Sequence, residues 1–349
     1  MPLTILSVAY PLTPVGPDAV GGAEQVLSML DAGIVAAGHH SLVIAQKGSV
    51  VAGRLLAVPA PEGRLDEAAI AAARARHAAV IRAALVAETV DVVHLHGIDF
   101  DAYLPPPGPS VLATLHLPPA WYGDAALAPS RPDTWLVGVS RTQHAACRAS
   151  PRLLPPIPNG IALDRCGGPH APRAFALCLG RICPEKGQHL ALDAARRAGM
   201  PLLLAGEVFP YPAHRAYFDR EVEPRMGAGR RFVGPVAGAR KRRLLAGARC
   251  VVLPSLAPET SSLVAREALA SGTPVVGFRV GALAEAVEEG VTGFLVESGD
   301  VAALAGAMAR AGTLDRAACR RIARARFGQG PMVAAYLDLY GRLARRRAA

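Results

Sequence analysis

The stretch CVVLPSLAPETSSLVAREALASGTPVVGF, residues 250–278, contains a short β-branched run, a loop, an alanine-rich segment and a second β-branched run. This order predicts a strand, a helix and another strand, which is the βαβ unit of parallel sheets. The same alternation recurs along the rest of the chain. We therefore predict an α/β fold with doubly wound parallel sheets and helices on both faces.

Two such domains suit a chain of 349 residues, because a single core rarely grows that large. Prolines and glycines concentrate at 150–173, which predicts a linker without regular structure. We place the first domain at 1–160 and the second at 161–329. Tandem doubly wound domains usually bind a ligand in the cleft between them, beyond the carboxyl ends of the strands.

Individual elements follow from the same pattern. In the first domain, strands are predicted near 3–10, 40–46, 90–97, 110–116 and 134–140, with helices near 22–37, 66–88 and 140–149. In the second, strands are predicted near 175–181, 201–207, 231–236, 250–255, 274–278 and 293–296, with helices near 186–199, 213–226, 239–247, 262–271, 281–289 and 300–311.

The composition limits the class of protein. The formal net charge is +10, mostly from arginine, and the densest basic runs are 238–249 and 342–349. Such runs fit solvated helix faces or a patch for anionic partners, and charge alone does not choose between them. The six cysteines form no CxxC pair and have no histidine at metal-ligand spacing, so we expect free thiols and no zinc. No signal peptide or membrane-length apolar run is present, which predicts a cytoplasmic protein.

Two carboxylates in the quoted stretch, Glu259 and Glu267, stand eight positions apart. Glu259 follows a predicted strand end, and Glu267 lies in the next helix, which Ser261 or Ser262 is expected to cap. Amides around Ser262 and Leu263 then form an anion site aided by the helix dipole. Carboxylates accept hydrogen bonds from sugar hydroxyls, so the arrangement suits a nucleotide sugar. The alternative is a pair of ordinary surface carboxylates.

Two further segments fit a phosphate ligand. In GRICPEKG, 180–187, Arg181 and Lys186 follow a strand end and suit a diphosphate, although ordinary helix-start charges remain the alternative. Only three lysines occur in the chain, which favours a specific role for Lys186. Gly21 and Gly22 open the first helix and allow close approach of backbone to a ligand, or form only a tight turn. Neither GxGxxG nor GxxxxGK[ST] occurs, which argues against dinucleotide oxidoreductases and P-loop proteins.

These motifs together resemble the retaining glycosyltransferases of family 4, which have the GT-B fold of two facing Rossmann-like domains. The resemblance rests on GGAE, GRICPEKG and PETSSLVAREALASGTPVV, in which seven residues separate two glutamates, and extends to IPNGI, FVGPV and GALAEAVEEGVTGFLV. It implies that residues 330–349 form a helix that packs back on the first domain. Where many members have EPFGL this chain has ETSSL, so the donor sugar is left open.

The resemblance also implies roles for individual residues. Arg181 and Lys186 would hold the donor diphosphate, with Gly21 and Gly22 closing on it from the other domain. Glu267 would bind the ribose, and Glu259 and Ser261 the donor sugar. His116 matches the family position beside the sugar and the leaving phosphate. Val233 and Gly234 would face the base, His96 would lie nearer the acceptor, and His94 is assigned a structural role.

The expected function is retaining, metal-independent transfer of a sugar from a nucleotide diphosphate sugar to an acceptor hydroxyl. The donor is a substrate, so no cofactor and no metal site are expected. The acceptor is a glycan, a lipid-linked or a small molecule, and peripheral contact with the inner membrane surface is left open. One alternative is a nucleotide-sugar epimerase on the same fold. Another is a basic binder of nucleic acid or anionic surfaces, which the lack of aromatic residues in the basic runs disfavours, so no nucleic-acid partner is expected.

Overall fold

Parallel strands form two sheets in the computed structural model, which describes residues 1–61, 65–168 and 171–348. The chain divides into two units. Unit 1 contains Met1–Gly160 and Gln329–Ala349, and unit 2 contains Ile161–Gly328. Residues 169 and 170 of the predicted linker and residue 349 of the predicted C-terminal helix lie outside the described residues. Across the described residues, no helix has both the length and the apolar character needed to cross a bilayer.

The sheet of unit 1 has seven parallel strands in the order β3-β2-β1-β4-β5-β6-β7. Its central strands are buried almost throughout, as apolar runs covered on both faces should be. The strands are β1 Thr4–Val8, β2 His40–Gln46, β3 Arg54–Val58, β4 Val92–Leu95, β5 Ser110–Leu115, β6 Thr134–Gly138 and β7 Leu153–Leu154. Helices α1 Gly22–Ala36, α2 Glu67–Ala87, α3 Asp124–Leu127 and α4 Arg141–Ala146 connect them.

The sheet of unit 2 has six parallel strands in the order β10-β9-β8-β11-β12-β13. They are β8 Ala176–Leu179, β9 Leu202–Ala205, β10 Arg230–Phe232, β11 Cys250–Leu253, β12 Val275–Phe278 and β13 Gly293–Val296. The helices are α5 Gln188–Arg197, α6 Pro212–Tyr217, α7 Gly238–Gly247, α8 Leu263–Ala270, α9 Leu283–Ala286, α10 Val301–Arg310 and α11 Arg316–Arg326. The predicted doubly wound α/β fold is confirmed in both sheets.

The last helix, α12, spans Gln329–Ala348 and belongs to unit 1. Its buried side chains Met332, Tyr336, Leu339, Tyr340 and Leu343 recur at helical spacing and face the elements of that unit, where the helix contacts α1, β4 and β5. Two tyrosine hydroxyl groups of α12 form hydrogen bonds with side chains of the sheet. Tyr340 Oη lies 2.7 Å from His94 Nδ1, and Tyr336 Oη lies 3.0 Å from Thr114 Oγ1. The C-terminal segment therefore completes the core of unit 1.

Several predicted boundaries are wrong. The linker was expected to lack regular structure, yet β7 forms within it as a two-residue edge strand against β6. The helix predicted near 213–226 ends as α6 at Tyr217 and continues as a π-helical turn and a 3-10 turn, in which Pro224 has no amide to donate. The half-exposed edge strand β3, the short α3 and the arginine-rich α11 were not predicted.

Candidate functional site

Two loops of unit 2 lie side by side where β8 and β11 end. Glu185, in the 3-10 turn Pro184–Lys186, accepts backbone hydrogen bonds from Leu256 and Ala257 at 2.8 and 3.2 Å. Gly187 follows in the left-handed region at φ 61°, and a Cβ there would overlap the carbonyl oxygen of Pro254. Glycine is thus required at this position, both for the turn and for the close approach of the loops. This contact brings GRICPEKG against the loop that contains Glu259.

Glu259 forms an ion pair with Lys186 across these loops. Lys186 Nζ lies 2.5 Å from Glu259 Oε1, and Ser255 Oγ donates to the same oxygen at 2.5 Å. The Glu259 side chain is 8% exposed and that of Lys186 is 32% exposed. Burial raises the pKa of Glu259, but the Lys186 charge and the two hydrogen bonds lower it more, so the pKa lies below its ordinary value. Glu259 is therefore a carboxylate at neutral pH, with its charge balanced by Lys186.

Glu267, in α8, pairs with a different lysine. Lys241 Nζ of α7 lies 2.7 Å from Glu267 Oε1. The other oxygen, Oε2, is buried and has no hydrogen-bond partner among the residues the structure describes. A buried carboxylate oxygen without a donor is costly, so it is a ready acceptor for a ligand hydroxyl. Of the two alternatives for the basic run 238–249, a solvated face does not fit Lys241, whose side chain is only 19% exposed.

The start of α8 differs from the prediction. Ser262 precedes the helix, but it adopts the left-handed region at φ 51° and its side chain caps no amide. Ser261 Oγ is buried without a partner in the described part of the chain, so it does not cap the helix either. The expected serine cap is therefore wrong. The first turn of α8, which begins at Leu263, is therefore capped by neither of these two serines.

Unit 1 brings together the predicted histidines at the ends of β4 and β5. His96 Nδ1 lies 3.0 Å from His116 Nε2, and both side chains are buried. The His94 and His96 ring centroids lie 4.0 Å apart with the rings tilted by 42°, and His94 is hydrogen-bonded to Thr114 and Tyr340. Burial lowers the pKa of His116 to about 3 and lowers those of His94 and His96 well below the ordinary value. All three imidazoles are therefore neutral at physiological pH.

The remaining predicted residues lie at turns. Gly21 precedes α1, and any Cβ there would overlap the carboxylate of Glu24, which also accepts a 2.7 Å hydrogen bond from Thr13. Gly22 is the first residue of α1. Val233 and Gly234 follow β10, where the Val233 amide donates to Leu204 at 2.9 Å and the Gly234 carbonyl accepts from Gly206 at 3.0 Å. Gly234 has φ 71°.

Sequence reasoning missed a cluster next to Arg181. Cys183 Sγ, a carboxylate oxygen of Glu185 and a ring nitrogen of His214 all lie within 4.8 Å of one another. Burial raises the pKa of the Cys183 thiol to about 11, with the Arg181 charge opposing the shift. Sequence spacing could not show this proximity, because the fold brings His214 of α6 beside the turn that follows β8. Lys241 was also missed, although the rarity of lysine was an available signal.

Comparison with known proteins agrees with this architecture. Residues 173–313 match the family model described as glycosyl transferases group 1. A glycogen synthase of Mycobacterium tuberculosis is 39% identical over 180 residues, 48% of this chain and 42% of that protein. D-inositol 3-phosphate glycosyltransferase 2 of Catenulispora acidiphila is 34% identical over 229 residues, 56% of this chain and 52% of that protein. The chain spans about half the length of the curated relatives it matches.

A solved structure extends the likeness to almost the whole chain. AviGT4, described as a glycosyltransferase involved in avilamycin A biosynthesis, matches with a TM-score of 0.75 at 29% identity, over 99% of this chain and 98% of AviGT4. The two doubly wound parallel sheets are therefore those of the GT-B fold. Residues 173–313, which lie in unit 2, are similar to the glycosyl transferases group 1 domain.

Proposed function

We propose that the protein is a retaining glycosyltransferase that moves a sugar from a nucleotide diphosphate sugar to an acceptor hydroxyl. The observation that carries the proposal is the charge arrangement of unit 2, where each glutamate of the motif is paired with its own lysine, Glu259 with Lys186 and Glu267 with Lys241. The group 1 domain and the similarity to proteins named as glycosyltransferases support it.

In this proposal Arg181 and Lys186 bind the diphosphate. An ammonium group has three N–H donors, so Lys186 can retain its bond to Glu259 and still donate to a phosphate oxygen. The first-turn amides of α8, from Leu263 onward, add donors aligned with the helix dipole, with Ser262 at the helix entry. The leaving diphosphate gains charge as the sugar bond breaks. Groups already held in place stabilise that charge more in the transition state than in the ground state.

The two glutamates of the motif would bind different parts of the donor, the ribose and the sugar. Glu267 would accept ribose hydroxyls on its unpartnered Oε2, which Lys241 leaves free by holding Oε1. Glu259 and Ser261 would contact the donor sugar, and Val233 and Gly234 the base. In unit 1, Gly21 and Gly22 would contact the phosphate, His116 the sugar and His96 the acceptor. Because His116 is neutral, it would act as a hydrogen-bonding group rather than a cation.

No protein nucleophile is part of this proposal, since the leaving phosphate would accept the proton of the acceptor hydroxyl. The proposed setting is cytoplasmic glycan, glycolipid or glycoconjugate synthesis. Peripheral contact with an anionic membrane surface would use exposed Arg342, Arg345 and Arg346 of α12. No nucleic-acid partner is proposed.

The test is incubation of the protein with a panel of nucleotide sugars without acceptor. One donor should be slowly hydrolysed to free sugar and nucleoside diphosphate in equal amounts. Accumulation of an altered nucleotide sugar would instead indicate an epimerase. Binding without any turnover, with acceptors also supplied, would contradict the transferase proposal.

We also expect transfer to be independent of divalent metal, because Arg181 and Lys186 supply the positive charge that a metal ion provides in other diphosphate sites. Excess chelator should change the turnover rate by no more than about twofold. Loss of a catalytic metal would have a far larger effect, because such an ion stabilises the transition state by several kcal/mol. The measurement is the initial rate with the best donor, with and without chelator. Loss of activity that magnesium or manganese restores would show that the diphosphate site has been misassigned.

A further inference from the structure

The cluster of Cys183, Glu185 and His214 has the ligand types of a transition-metal site. Thiolate, imidazole and carboxylate together suit Zn²⁺, whereas magnesium and calcium prefer oxygen ligands alone. The three side chains come from two elements, the turn after β8 and helix α6, so the fold and not local sequence brings them together. We propose that this cluster binds Zn²⁺ or a similar thiophilic divalent ion.

An unsatisfied group at the cluster supports a ligand there. His214 Nδ1 is buried and has no hydrogen-bond partner among the described residues. The ring makes edge-to-face contacts with two aromatic neighbours, with its centroid 5.1 Å from that of Tyr211 and 6.5 Å from that of Phe209. A buried nitrogen without a partner is unfavourable, and a metal ion bound through Nδ1 would satisfy it.

The distances fit binding after a small adjustment. Zinc bonds of about 2.3 Å to sulfur and 2.0–2.1 Å to nitrogen place two tetrahedral ligands roughly 3.5 Å apart. The ligand atoms here lie within 4.8 Å of one another. Rotation of the half-buried Glu185 and His214 side chains can supply the closure of about 1 Å. Three protein ligands leave a fourth position for water, as in zinc sites that are not fully enclosed.

The local charges are compatible with a dication. Arg181 lies close enough to affect both Cys183 and His214, and its charge opposes a cation. Binding uses the thiolate of Cys183, whose proton leaves to solvent, and the carboxylate of Glu185. These two anionic ligands neutralise the dication, so the occupied site is neutral, whereas the empty site has the single negative charge of Glu185. The cluster lies beside Arg181 and in the same turn as Lys186, but the proposed transfer chemistry uses no metal ion bound there.

The test is equilibrium dialysis of the untagged full chain against Zn²⁺ without nucleotide. Wild type should bind one high-affinity Zn²⁺, and Cys183→Ser and His214→Gln should each weaken binding by about 100-fold or more. Cys166→Ser is the matched control, because Cys166 is a free cysteine of the same unit that lies outside the cluster, and it should bind as wild type does. Zn²⁺ should also raise the melting temperature of wild type but not of the two ligand variants.

A spectroscopic measurement identifies the sulfur ligand directly. Cobalt bound in place of zinc should give a thiolate-to-metal charge-transfer band in wild type and in Cys166→Ser, but not in Cys183→Ser. His214 is half-buried on a short helix, so His214→Gln keeps the test open if Cys183→Ser does not fold. No stoichiometric binding to wild type, or unchanged affinity in His214→Gln, would overturn the proposal.

Discussion

Glu259→Gln should lower turnover by about 10²–10³-fold while nucleoside diphosphate affinity stays at or above that of wild type. The proposed partner of Glu259 is the sugar, which the diphosphate lacks, so its loss affects only the reaction. In the free protein Glu259 also neutralises Lys186 at 2.5 Å. Removing the carboxylate charge releases Lys186 for the phosphates, which can only favour diphosphate binding.

Glu267→Gln should instead weaken the binding of the nucleotide itself. A ribose contact is present whatever sugar is attached, so nucleoside diphosphate and nucleotide sugar should both bind about tenfold more weakly. Calorimetry with the diphosphate, beside steady-state kinetics with the best donor, measures both effects. Glu289→Gln is the control, because that carboxylate is 53% exposed and its partners, Arg279 and the Leu295 amide, lie outside the proposed site. The assignment is wrong if Glu259→Gln binds the diphosphate as poorly as Glu267→Gln, or turns over at the wild-type rate.

Arg181→Ala and Lys186→Ala should each weaken nucleoside diphosphate binding by tenfold or more. Each change removes a charge-assisted hydrogen bond, which contributes about 1.5–3 kcal/mol. Lys186→Ala has a second effect, because it leaves the 8% exposed Glu259 carboxylate without its cation and raises its pKa. Lys186→Ala should therefore be less stable than Arg181→Ala, and adding Glu259→Gln should restore stability.

Calorimetric titration and thermal melts measure these two effects separately. Arg196→Ala controls for loss of a cation from the same unit, since that side chain is 70% exposed. Unchanged diphosphate affinity in both Arg181→Ala and Lys186→Ala would exclude them as the diphosphate site.

The alternation of apolar strands with alanine-rich helices was enough to predict both sheets. It failed where an element lacks that pattern. Strand β3 is half-exposed and lies at a sheet edge, β7 has two residues among prolines, and α11 is so rich in arginine that its apolar stripe is narrow. Tertiary contacts stabilise these elements, and a local pattern does not report such contacts.

In the candidate site too, the sequence pattern predicted individual residues but not the tertiary contacts between them. Spacing singled out Glu259 and Glu267, but it could not show that each has a lysine partner, because Lys186 and Lys241 come from other parts of the chain. The left-handed backbone of Ser262 was also unpredictable, since serine at a helix start normally caps it. Likewise, His214 is 31 residues from Cys183 in sequence and meets it only through the packing of α6.

The central claim is that unit 2 recognises the diphosphate and ribose of a nucleotide, and calorimetry with nucleoside diphosphates and the matching monophosphates tests it most directly. One diphosphate should bind with a stoichiometry of one, and its monophosphate should bind at least about tenfold more weakly, because it lacks a phosphate for the paired cations. A failure of every nucleoside diphosphate to bind, or equal affinity for the monophosphate, would contradict the account.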